Sequence, residues 1–375
     1  MLTSDLFKRY VYPVAILAGS VIGVGFFSLP YIALKTSIWL VAGYLAVLTL
    51  VIILINTIVG EIALKTPDFK RIPGFVGFHL GKWAEAVSLT AATLGGFGIL
   101  LVYLIVGGDF LANAFSPIFG GSYLLYVVIY FILAGIFIYS DVRAIAKVEL
   151  GTIMLLLLTL LIIFIKGFAN IKLDNIFIGS WNTSVKNLFL PYGPIIFSLW
   201  GVGLIPEVEE LLKGDKKNIK KIITASVLIT AVIYFLFIVL ILGITGAKTT
   251  ESALAGLKEI FGGWILSAGF LVGAVVIFNA FISLGLILKK VFMYDLGVKK
   301  IHAVIIVCTL PLILFLLGVR SFIPIISFIG GIFLGIDGIL ILLMYRKIKG
   351  KKVIIYPLSV IFILGVIYEL VYFIN

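Results

Sequence analysis

The feature that most constrains this chain is a series of eleven apolar runs separated by short charged segments. In lipid, only helices and closed barrels satisfy every backbone polar group, and a spanning helix needs about 20 apolar residues. The runs lie near residues 10–33, 38–63, 83–112, 122–140, 147–167, 188–212, 220–245, 263–292, 301–318, 321–345 and 353–374. Because 62% of the residues are hydrophobic and 12% are charged, we predict an all-α polytopic membrane protein with eleven transmembrane helices.

The distribution of basic residues predicts the orientation of these helices. If the N-terminus is cytoplasmic, 22 of the 29 Lys and Arg residues fall in inner segments and 7 in outer ones. Short cytoplasmic loops carry such an excess. We therefore expect a multi-pass protein of the cell membrane, with its N-terminus in the cytoplasm and its C-terminus outside. The net charge of +12 follows from this topology, so lipid is an expected partner and nucleic acid is not.

The first span carries residues that are poor choices for an unbroken helix. It reads Ala-Gly-Ser-Val-Ile-Gly-Val-Gly-Phe-Phe-Ser-Leu-Pro over residues 18–30 and includes Gly19, Gly23, Gly25 and Pro30. Glycine and proline weaken or interrupt helices. Backbone groups freed by a break in lipid must find other partners, so broken spans usually line cavities. The alternative is close helix packing, because Gly19 and Gly23 form a small-xxx-small pair.

The sixth span repeats this theme in the opposite direction. It reads Phe-Ser-Leu-Trp-Gly-Val-Gly-Leu-Ile-Pro-Glu-Val-Glu-Glu over residues 197–210, with Gly201-Val-Gly203 followed by Pro206. Two interrupted helices of opposite direction, five spans apart, are typical of an inverted repeat with a binding site at the membrane centre. Their placement favours a binding site over packing.

The ends of the half-helices indicate what such a site binds. The half-helix that follows a break begins with free N–H groups and the positive end of its dipole, which suit a carboxylate. The half-helix that precedes the break ends in free carbonyls, which suit an ammonium or a metal cation. A zwitterionic amino acid matches both. Glycines at residues 23, 25 and 201 would let the backbone approach a ligand closely. Three aromatic residues are candidates for a side-chain pocket or a gate, with packing as the alternative: Phe26, Phe197 and Trp200.

Polar residues near the other spans have two interpretations each. Tyr103 contacts either a substrate or another helix. Asn279 and Ser283, four residues apart on one helix face, either complete a cation shell or bond another helix. Lys147 either reaches back to the interface or titrates as a proton-coupling group. Glu207 lies near the inner mouth, where ion pairing with lysines is the alternative to a gating role.

The residue inventory argues against an integral-membrane enzyme. The chain has two histidines, His79 and His302, and one cysteine, Cys308. These residues form neither the sequence pattern of a metal site nor a nucleophile–base arrangement. A transporter is therefore favoured over an enzyme, and no cofactor is expected. A channel or nutrient receptor on the same scaffold is the third class.

Four motifs resemble known amino acid permeases. The motif at 18–30 resembles the first helix of the hydroxy and aromatic amino acid permeases and of the related amino acid/auxin permeases. Val102–Asp109 and Trp200–Glu207 are similar to the third-helix and sixth-helix patterns of the auxin branch, and Phe281–Leu286 resembles the eighth helix of the aromatic branch. Both families belong to the amino acid-polyamine-organocation superfamily.

The resemblance implies a LeuT-like fold of five plus five inverted helices with one extra helix, in which helices 1 and 6 are broken. The implied division is a first repeat at 1–168, an outer loop at 169–187, a second repeat at 188–348 and helix 11 at 349–375. The implied activity is secondary active transport of neutral or aromatic amino acids by alternating access. An amino acid exchanger or a nutrient-sensing receptor is the alternative.

The predicted substrate-binding residues are Gly19, Ser20, Gly23, Val24, Gly25, Phe26, Tyr103, Phe197, Trp200, Gly201 and Gly203. The candidates for ion or proton coupling are Lys147, Asn279 and Ser283, and Glu207 is the candidate gate. A sodium ion would be bound by Gly19, Ile22, Asn279 and Ser283. However, the eighth-helix threonine or serine associated with sodium in some relatives is not cleanly matched, so a proton is preferred over sodium. We expect a monomer, and the sequence leaves the particular amino acid open.

Overall fold

The computed structural model describes residues 10–67, 71–140, 145–178, 185–206, 208, 216–259, 263–295 and 297–374. For residues 20, 145–150, 152–153, 185–186, 216–217, 259, 263–265 and 294–295 it describes the backbone alone. The regular structure of the described part is helical throughout.

Sixteen α-helices make up most of the described chain. They are α1 (Tyr12–Val21), α2 (Leu29–Lys35), α3 (Ile38–Ala63), α4 (Ile72–Leu80), α5 (Lys82–Phe119), α6 (Tyr123–Tyr139), α7 (Ile145–Gly167), α8 (Leu173–Ile176), α9 (Val185–Phe189), α10 (Tyr192–Leu199), α11 (Lys216–Thr245), α12 (Gly263–Lys290), α13 (Lys300–Leu316), α14 (Phe322–Phe328), α15 (Leu334–Lys347) and α16 (Lys352–Ile374). Short 3₁₀ turns lie at Val24–Ser28, Phe168–Asn170, Val202–Leu204, Gly246–Lys248 and Leu254–Glu259. Single π-helical turns lie at Val291–Asp295 and Ile329–Phe333.

The described helices account for most of the predicted membrane crossings. Seven helical segments are long and apolar enough to span a bilayer when consecutive helices in Asn187–Leu204 and in Phe322–Lys347 are joined. The bent pair formed by Tyr12–Gly19 and Val24–Lys35 makes an eighth if it is counted as one span. Three shorter apolar helices, at Tyr123–Tyr139, Met154–Asn170 and Lys300–Leu316, lie where the sequence predicts the fourth, fifth and ninth spans. The chain is thus an all-helical, multi-pass membrane protein, and the number eleven stays a prediction.

Local sequence explains where several helices begin. The Ser37 hydroxyl accepts a hydrogen bond from the Leu40 backbone N–H at 3.1 Å and caps α3. Ser122 caps α6 in the same way through the N–H of Leu125 at 3.4 Å. Such hydroxyl caps satisfy N–H groups that have no partner inside the helix.

The surface of the bundle is as apolar as its interior. On α3, Leu48 and Ile52 are buried, whereas Val47 and Leu50 on the other side of the same helix are 54% and 61% exposed. A helix that is hydrophobic all round belongs inside a large core or in a bilayer. The exposed aliphatic side chains are therefore the lipid-facing surface.

The long helix α5 is the centre of the packing. It contacts α12, α6, α4 and α13, while α11 packs against α3 and α1, and α15 packs against α16. We call the end of the bundle where α3 ends at Ala63 and α15 ends at Lys347 the basic end, and the other end the opposite end. The two segments predicted to be broken lie between these ends.

Candidate functional site

The first spanning segment is interrupted at Gly23. Helix α1 ends at Val21, and Ile22 is extended, with φ −72° and ψ 90°. Gly23 is also extended, with φ −119° and ψ −159°, before the 3₁₀ turn Val24–Ser28. The two parts of the span meet at an angle of 56°. The carbonyls at the end of α1 and the N–H groups at the start of the turn therefore lack regular helical partners.

The sixth spanning segment is interrupted at Trp200. Helix α10 ends at Leu199, and Trp200 is extended, with φ −71° and ψ 101°. The chain continues through Gly201 into the 3₁₀ turn Val202–Leu204. As in the first span, an extended residue separates two helical parts, so a second set of helix ends is created inside the bundle.

The two breaks contact each other through glycines. A Cβ atom on Gly25 would lie 2.5 Å from Ser198 Oγ, and one on Gly201 would lie 2.8 Å from Val21 Cγ2. Both positions are too close for any side chain. Gly25 and Gly201 therefore permit protein-to-protein contact, whereas the sequence suggested that they admit a ligand.

Two other glycines of the breaks face open space. A Cβ atom on Gly23 would meet nothing closer than Val21 O at 3.9 Å, and one on Gly203 would meet nothing within 4 Å. Gly23 is half-buried and Gly203 is exposed. Open space beside the backbone therefore lies at Gly23 and Gly203 rather than at Gly25 and Gly201.

A tyrosine that the sequence analysis did not select joins the two breaks. The Tyr234 hydroxyl lies 3.0 Å from Val21 O and 2.8 Å from Ser198 O, so its single O–H is shared between the ends of α1 and α10. Tyr234 is fully buried, and its ring stacks on Phe26 with centroids 5.7 Å apart. One side chain of α11 thus holds both half-helix ends.

Tyr234 is the last of three hydroxyl residues on one face of α11. Ser226 Oγ lies 3.2 Å from Val14 O, and Thr230 Oγ1 lies 3.5 Å from Ala18 O. Residues four apart share a helix face, so residues 226, 230 and 234 follow α1 along its length. This spacing of hydroxyls within an apolar helix is the sequence signal that could have identified Tyr234.

Aromatic rings close the breaks toward the opposite end. Phe26 contacts Phe237 with centroids 4.7 Å apart, and Phe27 contacts Phe110 edge-on at 5.0 Å. Phe110 in turn contacts Phe270 at 5.5 Å. Phe26 and Phe27 are fully buried, so Phe26 belongs to this aromatic cluster and does not line the open space.

The aromatic residues of the second break are less buried than Phe26 and Phe27. Phe197 and Trp200 are both half-buried. The Phe197 ring lies against Gly25, and Trp200 contacts Phe362 edge-on at 6.3 Å. Tyr103 on α5 is half-buried as well. These three side chains remain candidates for the walls of a pocket.

Asn56 on α3 is a second residue that the sequence analysis missed. It is fully buried, and neither its Oδ1 nor its Nδ2 has a hydrogen-bond partner. Its Nδ2 lies 3.7 Å from the position of a Cβ atom on Gly201. Buried amides are normally hydrogen-bonded, so an orphan carboxamide beside the second break is positioned to bond a ligand, a water or a rearranged backbone.

The remaining predicted residues are distributed around the breaks. Gly19 is buried in α1, and Val24 is buried in the 3₁₀ turn. Asn279 is buried and Ser283 half-buried on α12. The sodium site formed by Gly19, Ile22, Asn279 and Ser283 stays a prediction. Among the described residues, no group of three His, Cys, Asp or Glu side chains is arranged to hold a metal ion.

Three predicted residues fall outside what the structure describes. The side chains of Ser20 and Lys147 and the whole of Glu207 are not among the described residues. The backbone of residue 147 is part of α7, which packs against α1. The helix that carries Lys147 thus lies beside the first half-helix.

A short segment after α11 covers the opposite end of α5. Ser252 Oγ donates to Asp109 Oδ2 at 3.1 Å, and Lys258 Nζ donates to Asn113 Oδ1. Burial raises the pKa of Glu251 in this segment, and the positive charge of Lys35 opposes the shift. These two hydrogen bonds hold the segment against α5.

Solved structures identify the fold of the chain. MhsT in complex with L-phenylalanine is 16% identical, with a TM-score of 0.56, over 96% of this chain and 97% of that one. MHP1, a nucleobase-cation-symport-1 family transporter, is 13% identical, with a TM-score of 0.65, over 96% and 90%. A manganese transporter of Eremococcus coleocola is 11% identical, with a TM-score of 0.66, over 98% and 87%. The chain therefore has the LeuT-like transporter fold.

The family follows from the sequence itself. The profile of the tryptophan/tyrosine permease family matches residues 8–353, and the chain belongs to this family. It is thus a multi-pass aromatic amino acid permease and not an enzyme. The predicted resemblance to the hydroxy and aromatic amino acid permeases is confirmed. No curated protein matches the chain.

Proposed function

We propose that this permease holds an aromatic amino acid by its main-chain groups at the two breaks and moves it by alternating access. The observation that carries the proposal is the direct contact between two interrupted spans, joined by the Tyr234 hydroxyl at 2.8 Å and 3.0 Å. Continuous helices would offer no free backbone groups at this depth.

The charges of the helix ends support recognition of a zwitterion. The turns that begin at Val24 and Val202 present N–H groups and the positive ends of helix dipoles, which suit a carboxylate. The ends of α1 and α10 present carbonyls, which suit an ammonium. Tyr234 already engages one carbonyl at each of these ends, so the ammonium would bind neighbouring carbonyls of the same turns.

The open space at Gly23 and Gly203 supports a location for the substrate. We place the main-chain groups of the substrate beside these two glycines and its ring near Phe197, Trp200 and Tyr103. Aromatic side chains bind an aromatic ligand through offset or edge-on contacts. Gly25, Gly201 and Phe26 then act through the packing that brings the two breaks together.

The finer features of the fold belong to the same proposal. We propose eleven crossings, with repeats at 1–168 and 188–348 in inverted orientation, a loop at 169–187 and an additional helix at 349–375. We also propose that the basic end is cytoplasmic, because the excess of Lys and Arg lies there. A proton is the proposed coupling ion, and sodium is the alternative.

Transport by purified protein in liposomes tests the proposal. We expect uptake of labelled tryptophan or tyrosine against a concentration gradient when an inward pH gradient is imposed, and a parallel sodium gradient tests the alternative ion. Exchange without net accumulation would indicate an exchanger. Binding with neither uptake nor exchange would indicate a receptor, and would refute the transport mechanism.

A further inference from the structure

A buried carboxyl group on the last helix is not accounted for by the substrate site. Glu369 on α16 is fully buried. Its Oε1 accepts a hydrogen bond from Ser327 Oγ at 2.6 Å, and its Oε2 has no hydrogen-bond partner. Ionisable residues inside spanning segments are expensive to charge and are usually functional.

The groups that face Glu369 do not neutralise a negative charge. The phenols that interact with its charge are Tyr192 on α10 and Tyr368 on its own helix. No described cation contributes to its surroundings. Helix α15 also packs against α16, and its charged residues are Asp337, Arg346 and Lys347. Arg346 and Lys347 lie at the basic end, away from Glu369. The neutral, protonated carboxyl is therefore the form that suits this packing.

Glu369 lies where α10 packs most closely against the π-helical turn Ile329–Phe333. A Cβ atom on Gly331 would lie 2.1 Å from Glu369 Cγ, and one on Gly193 would lie 2.8 Å from Glu369 Oε1. A Cβ atom on Gly330 would lie 2.0 Å from Gly193 O. Three glycines thus allow α10 and the π-helical turn to close over the carboxyl group.

This contact is connected to the second break. Gly193 and the end of α10 at Leu199 belong to one helix of two turns, so a movement at Gly193 is transmitted to the break. A protonated carboxyl can remain in the dry contact. A carboxylate needs water or further donors for Oε2, and these require α10 to separate from the π-helical turn.

We propose that Glu369 is a proton-binding site that couples proton movement to transport by controlling the contact between α10 and the π-helical turn Ile329–Phe333. The proton binds a carboxylate oxygen of Glu369 from water at the opposite end, and the contact closes. Binding forms the O–H bond of the carboxyl group; release breaks that bond, transfers the proton back to water and opens the contact. This inference rests on the proposed transport function, and it is separate from the predicted role of Lys147.

Liposome transport by the full-length variant Glu369→Gln tests the inference. Gln keeps the size of the side chain but cannot titrate. We expect the variant to exchange labelled for unlabelled tryptophan, and to lose at least tenfold of the accumulation driven by an inward pH gradient. Asp174→Asn is the matched control, because Asp174 is an exposed carboxylate on α8, and it should accumulate tryptophan like the wild type.

The outcomes separate this inference from the proposed function. Accumulation by Glu369→Gln at the wild-type level would overturn the proton site. Loss of both exchange and accumulation in a folded variant would also overturn it, because Glu369 would then be needed for binding or structure. Wild-type liposomes that show neither activity would instead refute the transport function.

A second variant keeps the test decisive if Glu369→Gln does not fold. The Ser327 hydroxyl donates to Glu369 and stabilises the carboxylate, so Ser327→Ala should favour the protonated form. We expect the pH midpoint of gradient-driven uptake to move to higher pH in Ser327→Ala. An unchanged midpoint in folded protein would count against Glu369 as the titrating group.

Discussion

Removal of the Tyr234 hydroxyl is the sharpest test of how the two breaks are held together. Tyr234→Phe keeps the ring that stacks on Phe26 and deletes the only atom that lies 3.0 Å from Val21 O and 2.8 Å from Ser198 O. The variant therefore changes one contact between α1, α10 and α11 without changing the packing of the aromatic cluster.

The expected magnitude follows from the two carbonyls that lose their donor. A typical hydrogen bond contributes about 0.5–1.5 kcal/mol, and an orphaned buried polar group costs about 1–3 kcal/mol. Hydrogen bonds between helices in membranes average about 0.6 kcal/mol. We expect Tyr234→Phe to lower the free energy of unfolding by about 1–3 kcal/mol. Loss of preorganisation should also weaken tryptophan binding by about tenfold, which corresponds to about 1.4 kcal/mol.

Tyr130→Phe is a matched control for this variant. Tyr130 is also a buried tyrosine, but its hydroxyl has no hydrogen-bond partner. Removal of an unsatisfied buried hydroxyl should leave stability unchanged or raise it. Thermal unfolding of both purified variants in detergent, with and without tryptophan, measures the difference. Equal melting temperatures and equal affinities for the two variants would refute the bridging role of Tyr234.

Three further predictions concern the breaks and the basic end. Gly25→Ala should lower the free energy of unfolding by about 1–3 kcal/mol, because the new Cβ atom overlaps Ser198. Gly23→Ala should fold normally and bind tryptophan more weakly. Thermal unfolding measures the stability of the two variants, and a binding assay measures their affinity for tryptophan. Asn56→Leu should be at least as stable as the wild type, because an orphan amide is removed, and should transport tryptophan more slowly in liposomes. Burial lowers the pKa of His79 in the folded protein, because the charged imidazolium is less well solvated there. The neutral form of His79 therefore contributes stability above the unfolded pKa of about 6.5, and this contribution is lost as the pH falls from that value through the folded pKa. The pH dependence of thermal unfolding should therefore flatten in His79→Gln.

Each of these predictions has an opposing result. Equal stability of the Gly25→Ala variant and the wild type would mean that the two breaks are not in the contact described. Wild-type transport by Asn56→Leu would assign the amide no role in the cycle. An unchanged pH profile in His79→Gln would mean that another group near the basic end titrates in this range.

The breaks could be predicted from sequence because their cause is local. Glycine and proline within 18–30 and 197–210 disfavour helix wherever they occur in a chain. The structure interrupts the two spans at Gly23 and Trp200, within the predicted stretches. The same local reasoning could not assign the glycines, since Gly25 and Gly23 have the same chemistry but only Gly25 has a neighbour at 2.5 Å.

The residues that sequence reasoning missed depend on partners far away in the chain. Tyr234 acts through Val21 and Ser198, Asn56 lies beside Gly201, and Glu369 bonds Ser327. Tyr and Asn in an apolar span are individually unremarkable, and a Glu near the end of a span is normally solvated. Their burial and their partners appear only when several helices are assembled.

The sequence by itself determined that this is a helical membrane protein, the family to which it belongs and the two stretches where helices break. These properties follow from hydropathy, motif and backbone preference, which each residue carries independently of its distant neighbours. Only the tertiary structure decided that one hydroxyl joins both breaks, which glycines face open space and that a carboxyl group of α16 is enclosed by α10 and the π-helical turn. Those features depend on distances between helices, because the role of a polar group inside a membrane depends on the partner that helix packing places beside it.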